Sequence, residues 1–226
     1  MYTIGGINLE HVEHAKVLGI TLSRNLSATL HCDNIASLAH KRVFLLLNSF
    51  RSSNHATMTS LFKTYVRPLL EYCTPAWSPH LLKDIDQIES VQRYFTRSLP
   101  GLSRFSYHER LTKLGLQSLE LRRIHRDCLY LYKMLHNTVV TSFSDMFTLR
   151  SHFILSNMSL RGNSLTLCLP SFQNSIKEHC FTTRVVRYWN ALPDYIVQSS
   201  SINMFYSHLV NFNFVTFLRG RAINRP

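Results

Sequence analysis

Acidic residues are scarce in this chain. Across 226 residues there are 13 Asp and Glu against 25 Lys and Arg, a formal net charge of +12. The few carboxylates are scattered, whereas two-metal phosphoryl chemistry needs them clustered. Asp84 and Asp86, two apart, cannot face one another on a helix. The chain has no G-x-x-x-x-G-K-[ST], no G-x-S-x-G and no H-E-x-x-H, so the usual phosphate loop, nucleophile elbow and zinc-protease signatures are missing. Cysteine is sparse too: five residues, an odd number, at wide spacings and with no C-x-x-C. That pattern argues against a disulfide framework and for a reducing intracellular compartment, nucleus or cytoplasm. The pairs His11/His14, His31/Cys32, His125/Cys128 and His179/Cys180 do not assemble the two matched close pairs of a structural zinc site. No metal site and no cofactor are expected. No apolar run exceeds five residues, far short of the roughly 20 that span a bilayer. The first residues also lack the basic-then-apolar order of a signal peptide, so no membrane partner is expected.

What is present is a normal share of apolar residues, 45%, enough for a sizeable core. The excess of cations favours a polyanionic partner, most often nucleic acid. The most informative stretch runs from Met58 to Trp77. Met58, Leu61, Phe62, Tyr65, Val66, Leu69 and Cys73 recur at helical spacing and predict one buried face. Lys63 and Arg67 fall off that face. Pro68 predicts a kink, since it lacks an N–H and crowds the carbonyl four residues back. Tyr72 to Trp77 reads as a hinge closed by an aromatic anchor.

The remainder reads as mainly α with a short N-terminal β-hairpin. In residues 1–28, Thr3-Ile4 and Ile7 flank a Gly5-Gly6 turn. Lys16–Leu22 alternates as a second strand, with Gly19 marking a bulge or a close backbone approach. Residues 29–140 carry helical stripes: Ile35, Leu38, Ala39, Leu45 and Leu46; Leu81, Ile85, Ile88, Val91, Phe95 and Leu99, started by Ser78-Pro79; a short helix from Tyr107 to Leu114; and Leu121, Ile124, Cys128, Leu131, Tyr132 and Leu135. Val43, Phe44 and Leu47 widen the first stripe, which predicts a helix buried around most of its girth. Residues 141–170 read as a serine-rich linker, with a strand candidate at Ser164–Pro170. Residues 171–226 read as a looser helical subregion around Trp189 and Phe205. Basic residues lie on the polar sides: Arg93 with Arg97; Arg122, Arg126 and Lys133 on one side of a helix, with Arg123 beside them; Arg104, Arg110 and Lys113 around a turn. Each alone reads as a solvated helix surface. Together they can line a groove that follows a phosphate backbone, because guanidinium binds phosphate bidentately.

Several of these segments, taken in order, carry a resemblance. Lys16-Val17-Leu18-Gly19-Ile20-Thr21-Leu22, Tyr65-Val66-Arg67-Pro68-Leu69-Leu70-Glu71-Tyr72 with Pro75-Ala76-Trp77-Ser78-Pro79, and Ile88-Glu89-Ser90-Val91-Gln92-Arg93 resemble the carboxy-terminal part of jockey-like non-LTR retrotransposon reverse transcriptases. Tyr107-His108-Glu109-Arg110-Leu111, Leu114-Gly115-Leu116-Gln117-Ser118-Leu119-Glu120 and Phe181-Thr182-Thr183-Arg184-Val185-Val186-Arg187-Tyr188-Trp189-Asn190-Ala191-Leu192-Pro193 continue it. The resemblance implies a primer-grip-like hairpin over 1–28, a thumb-like bundle over 29–140 and a post-thumb region after the linker. It implies that the metal-binding turn, F/Y-A-D-D, belongs to a palm that this sequence does not contain, so Mg²⁺ belongs to the parent polymerase alone. The chain is then no enzyme by itself. It is a truncated RNA-directed DNA polymerase whose expected partner is RNA or an RNA/DNA duplex, or a fingers–palm chain in trans. Lys63, Arg67, Arg93, Arg97, Arg122, Arg123 and Arg126 are the expected phosphate contacts. Leu18, Gly19, Tyr65, Pro68, Tyr72, Trp77 and Trp189 are the expected structural anchors. The alternatives are an inert transposon-derived remnant and a helical protein-interaction module.

Overall fold

A computed structural model describes residues 3–4, 7–8, 11–50, 54–150, 163, 165–172 and 175–220. Two short antiparallel pairs come first. β1 (Thr3–Ile4) pairs with β2 (Ile7–Asn8), Ile4 opposite Ile7; the expected Gly5-Gly6 turn lies outside the described residues. β3 (His14–Val17) pairs with β4 (Ile20–Ser23), and the alternation over Lys16–Leu22 is therefore two strands rather than one. Leu18 and Gly19 make the reversal, at φ 48° and 86°. Two successive positive-φ residues form the primed turn whose twist matches that of paired strands. Leu18, expected as an anchor, is 84% exposed. Gly19 faces the Tyr72 ring, where an added Cβ would sit 3.8 Å from a ring carbon.

The first core is built on α1 (Thr29–Ser49) and α5 (Leu82–Ser98), with α2 (His55–Tyr65), α3 (Arg67–Glu71), α4 (Thr74–Trp77) and α6 (Tyr107–Leu114) around them. α1 buries Cys32, Ala36, Ala39, Val43 and Leu46, a strict 4-3-4-3 spacing. Small residues on this face let α5 approach closely. Leu38 and Leu45, expected in the stripe, and Phe44, expected to widen it, are instead exposed. Ile88, Val91, Phe95 and Leu99 answer from α5, and the Phe95 ring stacks on Phe62 at 4.4 Å.

The break predicted by Pro68 is present. The chain leaves α2 at Tyr65, and Pro68 occupies the first turn of α3, where no partner for its missing N–H is needed. The buried side runs at a spacing of four across the break. Met58, Phe62 and Val66 are buried and then Leu70, while Tyr65 and Cys73, expected on the buried face, are exposed. Cys73 has left-handed backbone, φ 52°, and starts α4. Trp77 is buried, its indole donating to the Tyr72 carbonyl at 2.8 Å and meeting His31 edge-on. Ser78 closes α4 rather than opening the next helix, and α5 starts at Leu82.

Ser106 forms a capping box with Glu109, and Gly115 in the left-handed region ends α6. Ser118 then caps α7 (Leu119–Leu135). The buried Glu89 carboxylate accepts from the Tyr107 hydroxyl and the Leu119 amide, so α5 holds both helix starts. Burial holds this carboxyl above the usual range.

α7 gives Leu119 to the first core and Ile124, Cys128 and Leu131 to a second. There it packs on α9 (Phe181–Asn190) and α11 (Ile202–Asn211), which the shorter α8 (Ser175–His179) and α10 (Asp194–Val197) precede. The two cores therefore share one helix. Trp189, Phe205 and Phe214 fill the second core, and the Tyr132 hydroxyl donates to the Ser199 carbonyl at 2.6 Å. From the expected linker, Phe147 and Leu167 are buried here. The Trp189 indole donates to the Leu165 carbonyl. The strand expected at Ser164–Pro170 is one bridge, Leu149 to Leu167. Residues 151–162 of that segment, and 221–226 of the basic tail, lie outside the described residues. Among the described residues no helix is long and apolar enough to cross a membrane.

Candidate nucleic-acid interface

α3 and α7 cross where Glu71 ends the first and Arg122 and Arg126 project from the second. The spacing of four puts both guanidinium groups on one side of α7, and both reach the Glu71 carboxylate. Arg122 is bound to it through two nitrogens, one at 3.1 Å. Arg126 donates to the carboxylate at 2.7 Å and to the Glu71 carbonyl at 2.9 Å. Arg67 lies four residues before Glu71, with its Nε 3.7 Å from the same carboxylate. Three cations thus share one buried anion. Burial opposes the charge of Arg122, yet the Glu71 carboxylate raises it above the usual range. Arg67 is lowered, by burial and then by Arg122, and Glu71 only partly offsets this. The cluster carries more positive charge than its own acid neutralises.

That surplus opens onto a groove of about 640 Å³. One wall is α7, presenting Arg122, Arg126, Lys133 and Tyr130; Phe181 and Tyr206 complete an aromatic lining. The Tyr130 and Phe181 rings meet edge-on at 5.6 Å. His125 also borders the groove, with both ring nitrogens buried and without hydrogen-bond partners among the described residues. Burial, and then Arg122, push its pKa down to about 4, so the ring is neutral near pH 7.

Of the other expected contacts, Arg93 lies 3.6 Å from Asp86 and over the Tyr107 ring. Arg97 is exposed in the last turn of α5, and Lys63 is half-buried in the last turn of α2. None of these three lines the groove. Arg123 departs most from expectation. It points inward, 3% exposed, because one residue along a helix rotates the side chain by about 100° from Arg122. Among the turn cations, Arg110 is buried, donating to Thr96 and to the Phe105 carbonyl, while Lys113 lies over the Phe105 ring at 4.3 Å.

Sequence reasoning missed the acid at the centre. Arg67 and Glu71 at i and i+4 were its local sign, but the partners of Glu71 on α7 are 51 and 55 residues away. It also missed that Phe181, legible only as part of an apolar helix face, and Tyr206 reach the groove from α9 and α11.

No protein-family model matches the chain, and no solved structure does. A similar protein is an uncharacterized protein of Caenorhabditis elegans, 26% identical over 110 residues, which cover 47% of this chain. The matched part spans 56% of that relative, a little over half its length.

Proposed function

We propose that this chain binds RNA or an RNA/DNA duplex without sequence preference, as the thumb and post-thumb part of a retrotransposon-type RNA-directed DNA polymerase. The reading rests on the groove, where Arg122, Arg126 and Lys133 alternate with Tyr130, Phe181 and Tyr206. Phosphate-directed cations interleaved with aromatic faces are the chemistry of sequence-tolerant nucleic-acid binding. The five unpaired cysteines fit an intracellular setting. On this reading Arg122 and Arg126 are the central contacts, Arg67 tunes them, and Arg123 is not a contact. The family part of the proposal rests on the ordered motifs of the sequence.

The test is fluorescence anisotropy with labelled single-stranded RNA and an RNA/DNA duplex across a series of KCl concentrations. Three phosphate contacts predict a log–log slope of about −2 to −3, and alanine at Lys133 removes about 0.7–0.9 of it. Salt-independent binding, or no binding at low salt, refutes the proposal. Primer extension by the chain alone is expected to give no product.

A second reading, a helical interaction module for a fingers–palm chain, is favoured by one observation. Leu38, Phe44, Leu45 and Tyr94 expose an apolar surface on α1 and α5. Co-elution with such a chain, lost on Phe44→Glu, tests it.

A further inference from the structure

Between the two cores, opposite the groove residues on α7, lies a second cavity of about 170 Å³. Arg123 lines it. This guanidinium is almost completely buried, and neither terminal nitrogen has a hydrogen-bond partner among the described residues. A buried cation without a partner is costly unless something satisfies it. The acids nearby are already engaged: the buried Glu89 carboxylate, whose charged form Arg123 favours, accepts from the Tyr107 hydroxyl and the Leu119 amide. Both Glu120 oxygens accept backbone amides, from Arg219 at 2.8 Å and Gly220 at 2.9 Å. Asp127 is held bidentately by Arg184, at 2.8 and 3.1 Å. Arg219, and Arg187 although it is paired with Glu178 at 3.3 Å, bring further positive charge to the wall, and the rings of His80 and His179 stack there at 4.0 Å. Both histidines are held below their usual range, by burial first, and Arg219 adds to it in each case.

We infer that this cavity is a binding site for a small tetrahedral oxyanion, phosphate or sulfate, with Arg123 as its inner donor and Arg219 and Arg187 at its mouth. The volume, against roughly 30 Å³ per water, holds about five or six water-sized groups. That suits one oxyanion with a water and excludes a nucleotide. The site shares no lining residue with the groove. An anion here ties α7 to α9 and to the segment around Arg219, and so couples the two cores.

The experiment is isothermal titration calorimetry and thermal unfolding of the whole chain in inorganic phosphate, with chloride at matched ionic strength as reference. One-site saturable binding is expected, with a rise in midpoint of about 4–7 °C at twenty times the dissociation constant. Arg123→Met keeps the volume and removes the unpartnered charge. It is expected to unfold in chloride at or above the wild-type temperature and to lose the phosphate response. Arg219→Gln, at an exposed side chain, is expected to weaken phosphate binding several-fold and keeps the test open should Arg123→Met fail to fold. Lys133→Glu, in the groove, is expected to retain the phosphate response. The same titration is run with sulfate; saturable binding of neither phosphate nor sulfate by the wild type, or an undiminished response in either arginine variant, overturns the inference. Binding of sulfate but not phosphate, or of phosphate but not sulfate, identifies which oxyanion the site takes.

Discussion

Replacing Glu71 by glutamine is expected to lower stability and raise nucleic-acid affinity at once. The change is nearly isosteric, so packing is preserved and the charge is the variable. Glu71 is the sole carboxylate that Arg122, Arg126 and Arg67 approach within ion-pair distance among the described residues, and its side chain is 3% exposed. Removing one partner of a fully buried ion pair costs about 3–5 kcal/mol. Here the side chains of Arg122 and Arg126 retain 19% and 41% exposure, so water relaxes part of the loss. A value of about 2–3 kcal/mol follows, and at about 2–4 °C per kcal/mol for a chain of this size the unfolding midpoint falls by about 4–12 °C. The guanidiniums then face the groove without a competing negative charge, although Arg126 keeps the residue-71 carbonyl. The salt slope of RNA binding is expected to steepen by about one contact, 0.7–0.9 log units per decade. Urea unfolding and anisotropy against KCl measure the two effects on one sample. Glu13→Gln serves as the control for net charge, since among the described residues Glu13 pairs with Arg24 at the exposed surface and is expected to change neither quantity measurably. Unchanged stability in Glu71→Gln, or affinity that falls with it, would refute the cluster as both a structural and a binding element.

His125 gives a pH dependence. Its pKa falls from 6.5 unfolded to about 4 folded, so the unfolded chain binds more protons between those values and stability declines as pH drops through that window. The shift corresponds to about 3 kcal/mol; His31, His40, His80 and His179 are lowered too and slope the same way. His125→Leu is expected to flatten its share of the curve, read from urea midpoints between pH 4.5 and 7.5. Leu18→Asn should stabilise the β3–β4 hairpin by about 0.5–1 kcal/mol, because asparagine tolerates the left-handed region and the exposed leucine side chain loses nothing. A lower unfolding midpoint would contradict the turn assignment. Gly220→Ala should loosen the segment around Arg219, since the new Cβ would lie 2.8 Å from a Glu120 oxygen and 3.1 Å from Ile85; faster amide exchange at Arg219 reads this. Alkylation should reach exposed Cys73 first and spare Cys32, a buried thiol pushed up to about 12, together with buried Cys128.

Where one helix face meets one core, the sequence was legible. Ser106 to Gly115 and Ser201 onward carry their own caps, and their helices begin and end where those residues place them. Errors arose where apolar residues exceed one face. α1 could have buried either Phe44 and Leu45 or Ala36 and Ala39, and closeness to α5 chose the small pair. Pro68 was read as a kink and the chain breaks there, but the buried side follows Met58, Phe62, Val66 and Leu70 and leaves Tyr65 exposed, which depends on the core the helices meet. On α7 the cationic side holding Arg122, Arg126 and Lys133 followed from spacing alone. The direction of Arg123 did not, because nothing local distinguishes a polar face turned to solvent from one covered by α9 and the chain around Arg219.

That contrast fixes what α7 does in this molecule. A surface helix with four cations among seventeen residues would ordinarily stand at the edge of a fold, yet this one is buried on two sides and joins both cores. Its charges must therefore be answered in three ways, by an internal acid at Glu71, by the groove, and by the cavity around Arg123. Among the described residues only the first answer comes from the chain itself, and one carboxylate against three arginines leaves it partial. The excess over Glu71 and the unpartnered Arg123 both mark places where an external anion lowers the free energy of the folded state. It follows that anions should stabilise this protein beyond simple screening, polyanions through the groove and small oxyanions through the cavity. Lys133→Glu and Arg123→Met should each remove one of these effects and leave the other.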